Sequence, residues 1–223
     1  MGSAVQPTLR IPLILLATAN LVVLGARLWP WQDVLGLPLN GATGIDPAVS
    51  LLGYIGIVFW VGNNNKEPMR KALGTGAVLG FLGGCFLVAE ILLKEQSEGL
   101  DVSSPNYILM GLFAAAAILW GFAGLRGMQL TGNAGFGLLC GVWSAMASSL
   151  MAAMALLSRM YSVAAPMESQ DPWKQYEGLA VGNQATQGLV HSLNSITFFL
   201  LVGPLAGAAF GLAFAFFGKK SKD

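Results

Sequence analysis

The sequence predicts an all-α polytopic integral membrane protein, and three observations carry that expectation. Of 223 residues, 55% are hydrophobic and only 10% charged, against roughly 25% charged in an average soluble domain. The mean hydropathy is +0.64, so lipid is the solvent expected for most of the chain. The apolar residues also gather into six runs separated by clusters of charge, Pro, Gly and Asn, each close to the length of about 20 residues that crosses a hydrocarbon core. A single membrane domain over 1–223 with six transmembrane helices follows.

The first run covers 11–29. Arg10 and the small triplet Ala17-Thr18-Ala19 resemble a cleavable leader, but the stretch before Ala17 is short, contains Pro12 and continues to Ala26, so a retained helix is expected. The second run covers 47–62, with Asp46 placed to cap it and Pro47 at its first position. The third covers 72–93 and carries Gly76, Gly80 and Gly84. The fourth, 106–125, opens after Pro105. The fifth, 134–157, carries Gly137, Gly141, Ala145, Ser149 and Ala153, and the sixth, 189–217, carries Gly203, Gly207, Gly211 and Ala215.

Residues four apart lie on nearly one helical face. Because lipid tails give helices little hydrophobic reason to associate, faces of small residues are where backbones approach. Helices three, five and six are therefore expected to pack through these stripes, within one chain or across a subunit boundary. Gly203-Pro204 is the most evident helix break, since proline removes a backbone hydrogen bond and crowds the preceding turn.

Basic loops orient such a bundle. Of the 12 Lys and Arg residues, Arg10, Lys66, Arg70, Lys71, Arg126, Lys219, Lys220 and Lys222 fall on one side and Arg27, Lys94, Arg159 and Lys174 on the other. Both termini are thus expected to be cytoplasmic. The outer loop 158–188 is the longest connection, and Trp173 and Tyr176 would rest its short helix on the membrane surface or form a cap for a partner. No Asn-x-Ser/Thr site occurs in the outer loops, which agrees with a bacterial cytoplasmic membrane.

Polar groups at membrane depth are the functional candidates. Glu90 stands about 10 Å beyond the middle of helix three at 1.5 Å per residue. Lys94 follows at i+4, so Glu90 reads either as half of an interfacial ion pair or as a carboxylate on a proton, cation or amine pathway. His191 opens a polar face with Asn194 and Ser195 near the outer end of helix six. It would pair with Glu90 if helices three and six touched. Nearer the midplane, Asn20, Ser144, Ser148 and Ser149 either hydrogen-bond neighbouring helices or line a transport site. Cys85 and Cys140 read as small packing residues.

Several function classes are disfavoured. Net charge is +1 without a basic run, which argues against nucleic acid. No metal constellation, phosphate loop or nucleophile elbow is present, so neither an enzyme nor a cofactor is expected. Two readings remain. One is a small-molecule transport component or permease subunit using Asn20, Glu90, Ser148, His191 and Asn194. The other is a non-catalytic subunit that assembles with other membrane chains, or with copies of itself, through the small-residue faces.

Overall fold

The computed structural model describes residues 10–28, 45–63, 67–99, 106–164 and 184–220. These form six helices: α1 (Arg10–Leu28), α2 (Ile45–Asn63), α3 (Glu67–Gly99), α4 (Asn106–Thr131), α5 (Ala134–Ala164) and α6 (Gln184–Lys220). No strand occurs among the described residues. Five helices are long and apolar enough to cross a membrane, and α2 is a shorter apolar helix over Ile45–Val61. The surface is correspondingly greasy: Phe59, Trp60, Leu205 and Phe217 are all largely exposed. The chain is an integral membrane protein.

The helices overrun the apolar runs, because hydropathy marks the lipid core rather than the helix end. α3 extends five residues before the expected start at Ala72, and there Glu67 and Lys71 form an exposed i,i+4 ion pair at 3.0 Å. α4 continues six residues past Leu125 to Thr131, where Gly132 turns left-handed at φ 71° and its N–H donates to the Met128 carbonyl at 2.7 Å. Glycine suits that conformation because it carries no Cβ. Asn133 then caps α5, its Oδ1 accepting from the Gly135 N–H at 2.8 Å. Asp46 lies inside the first turn of α2 rather than ahead of it, and its carbonyl accepts from Ser50 Oγ at 2.9 Å. The outer-loop reading for Trp173 and Tyr176 falls on 165–183, outside the described residues.

α5 is the hub. It packs against α1, α3, α4 and α6, and 67% of its apolar stretch is buried, against 39% or less in the other four spans. It is also the least apolar of the five. The bundle therefore holds its most polar span at the centre and turns the greasier helices to lipid, where side chains need no polar partner. Trp143, central in the fifth run, is buried there.

Small residues set the register. On α5 and α6, Gly137, Gly141, Ala145 and Ser149 face Ala215, Gly211, Gly207 and Gly203 in antiparallel order. A Cβ placed on Gly141 or Gly207 would overlap backbone of the opposite helix. α3 meets a different face of α5: Gly76 lies over Cys140, Gly80 over Ser144 and Gly84 over Met151. α4 joins through Gly124 against Gly211 and Gly127 against Cys140. α3 and α6 are not packed on each other; each packs instead on both α4 and α5. These glycine contacts all form within one chain.

Two units result. α3 and α6 each pack on both α4 and α5, which pack on each other, whereas α1 and α2 pair with each other and meet the rest chiefly along two lines, α1 on α5 and α2 on α6.

Candidate functional site

Two polar junctions sit near the middle of the helices, on different sides of α5. At the first, Ser148 Oγ accepts from Trp120 Nε1 of α4 at 2.9 Å and donates to the Gly80 carbonyl of α3 at 2.7 Å. Its own-helix alternative, the Ser144 carbonyl, is farther at 3.2 Å. Gly83 makes the junction possible, since a Cβ there would come within 2.9 Å of Ser148 Oγ and 3.4 Å of the indole nitrogen. Trp120 is fixed further by an edge-on contact with Phe113. Donor and acceptor are both satisfied, so this junction is a fastener of three helices.

The second junction lies on the seam between the α1–α2 pair and the four-helix unit. Tyr54 is the central residue of α2 and Ser149 that of α5. Asn20 is one residue past the centre of α1, and Leu200 to Pro204 bracket the centre of α6. Pro204 has no N–H, so the carbonyl four residues earlier loses its helical donor. That carbonyl is Leu200, and the Tyr54 hydroxyl donates to it at 2.7 Å. A side chain of α2 thus supplies the bond that the proline removes from α6, the repair by a neighbouring helix that membrane proteins use at helix breaks.

Around this repair, bonding is incomplete. Asn20 Nδ2 donates to the Leu16 carbonyl at 2.8 Å and to the Leu150 carbonyl of α5 at 3.1 Å. Two carbonyl acceptors fix which end of the amide is nitrogen, so Oδ1 is the free end, and it is buried without a hydrogen bond. Ser149 Oγ lies against Gly203 and beside the Tyr54 hydroxyl, yet it too closes no hydrogen bond of acceptable geometry. Thr197 Oγ1, one turn before Leu200, is a third such atom. Each buried orphan costs about 1–3 kcal/mol. The charged residues of these four helices, Arg10, Arg27, Asp46, Arg159, Lys219 and Lys220, all stand within two turns of a helix end.

The residues singled out from the sequence do not line one path. Asn20 is in the seam, whereas Ser148 occupies the saturated junction two residues, and so about 200°, around α5. Glu90 is half-buried on α3 with Oε2 lacking a hydrogen-bond partner among the described residues. His191 and Asn194 are exposed on α6, where the His191 carbonyl accepts from Ser195 Oγ at 2.9 Å. Because α3 and α6 are not packed on each other, Glu90 and His191 do not form the pair that touching helices would give. Sequence reasoning missed Tyr54. The available signal was the break itself: Pro204 strands one carbonyl in a nearly donor-free membrane, and Tyr54 is a hydroxyl at matching depth. No group of three or more His, Cys, Asp or Glu able to hold a metal gathers among the described residues.

Replacing Tyr54 by Phe is expected to cost about 1–2 kcal/mol, measured by reversible unfolding in mixed micelles, because the Leu200 carbonyl is left unpaired. In a Pro204→Ala background the restored N–H takes that carbonyl, and the same substitution should cost little. Equal costs in both backgrounds would show that the hydroxyl has another role.

The fold and its buried polar seam define the class of the protein: a helical, multi-spanning integral membrane protein. Compared with family models, curated proteins and solved structures, the chain matches none.

Proposed function

We propose that the protein is a small-molecule transport component whose pathway follows the seam between the α1–α2 pair and the α3–α6 unit. One observation carries this reading: Asn20 Oδ1 and Ser149 Oγ, both buried near mid-depth on that seam, lack hydrogen-bond partners, whereas Ser148 on another face of α5 has both of its own. Native structures rarely leave such atoms orphaned without a functional or solvent partner. The sparse attachment of α1 and α2, beside the helix break at Pro204, lets one unit rock against the other without disturbing the glycine-fitted contacts of α5 and α6.

Purification from native membranes followed by mass spectrometry of bound molecules and chains tests the reading. The expected result is a small polar molecule released by the wild type and absent from Asn20→Leu. A stoichiometric second membrane chain with no small molecule would replace this reading with the assembly-subunit one.

A further inference from the structure

We infer that the seam takes a small, uncharged molecule that both donates and accepts hydrogen bonds, of the amide or urea type. The inference rests on the transport reading and adds the chemistry of the cargo. Asn20 spends its N–H groups on the Leu16 and Leu150 carbonyls and presents only an acceptor oxygen. Tyr54 spends its proton on Leu200, so lone pairs are what its oxygen has left to offer. The Ser149 hydroxyl, which carries a proton as well as lone pairs, stands beside it, and Leu150, whose carbonyl holds Asn20, is the next residue of α5, so the two unpartnered groups meet the same turn of that helix.

Asn20 Oδ1 calls for a donor on the ligand, and the Ser149 hydroxyl, with its proton and lone pairs both unspent, can give to the ligand or take from it. An anion would find oxygens and no cation, since the basic residues of these helices lie near their ends. A full positive charge would find dipoles but no carboxylate, because α1, α5 and α6 hold no acid and the one in α2, Asp46, is in its first turn.

Proteoliposomes holding the full chain test this. Stopped-flow light scattering reads entry of urea and acetamide, and parallel assays read methylammonium, sodium and acetate. Urea or acetamide should enter faster than in protein-free vesicles, and Ser149→Ala should slow that entry about fivefold, the equivalent of one lost hydrogen bond. Asn20→Leu should slow it at least as much. Ser149→Ala removes one oxygen and leaves the Asn20 anchor intact, so it keeps the test valid if Asn20→Leu misfolds. Flux of a charged probe alone, lost in Ser149→Ala, would overturn the cargo class while leaving transport standing. No accelerated probe, or acceleration indifferent to both variants, would overturn the inference; joined to an absence of copurified small molecules, it would remove the transport reading too.

Discussion

Gly141→Leu should abolish the folded bundle, and Gly141→Ala should destabilise it by roughly 1–3 kcal/mol, the usual cost of overpacking. A Cβ at Gly141 overlaps the Gly207 carbonyl oxygen and lies 2.8 Å from the Gly211 Cα. Both obstacles are backbone and cannot rotate aside. α5 and α6 would have to separate, loosening Gly137 against Ala215 and Ala145 against Gly207 as well, since one register serves the whole stripe. Gly53 provides the control. A Cβ there meets nothing within 4 Å, so Gly53→Ala should be neutral or stabilising by up to about 1 kcal/mol through lower backbone entropy in the unfolded chain. SDS-driven unfolding in mixed micelles reads both. Equal stability of Gly141→Ala and wild type, or a loss at Gly53 as large as at Gly141, would show that the α5–α6 contact is looser than these distances require.

The same contrast shows what the sequence could and could not display. Spacing of four marked Gly137, Gly141, Gly203, Gly207 and Gly211 as one-faced stripes, and the structure fits α5 to α6 through them. Spacing carries no information about which stripe meets which. The α3 stripe of Gly76, Gly80 and Gly84 meets another face of α5 and never reaches α6, and with that the Glu90–His191 pairing loses its geometry. Hydropathy located every helix but underran α3, α4, α5 and α6, whose ends leave the apolar runs while their backbone bonds continue.

The polar groups were harder to read for a related reason. Asn20, Ser148 and Ser149 look alike in sequence: small polar residues in apolar surroundings. What separates them is whether a neighbouring helix brings a complementary atom, and that depends on helix rotation. Ser148 meets an indole and a carbonyl, whereas Ser149, about 100° farther round the same helix, meets Gly203 and stays unpaired. Pro204 offered firmer information, because a missing N–H predicts a needy carbonyl at a known position. Tyr54 fills that need from a helix that periodicity alone could not have placed there.

Trp120→Ala should be among the most damaging side-chain truncations, at roughly 3–5 kcal/mol for a buried aromatic, and a mutant cycle with Ser148 separates packing from hydrogen bonding. Trp120 is 1% exposed, and its Nε1 proton goes to Ser148, whose own proton goes to Gly80. Ser148→Ala strands the indole N–H and frees the Gly80 carbonyl of its extra bond, an expected loss of about 1–2 kcal/mol. Trp120→Phe loses the indole N–H together with ring volume. In the double variant no indole donor is left unpaired, so its cost should fall short of the sum of the singles by about 1 kcal/mol, measured by unfolding in mixed micelles. Strict additivity would mean that Ser148 holds α3 and α5 together without help from α4. If one satisfied serine is worth that much at this depth, leaving Ser149 Oγ and Asn20 Oδ1 unpaired at the same depth is a standing cost that a bound hydrogen-bonding molecule would relieve.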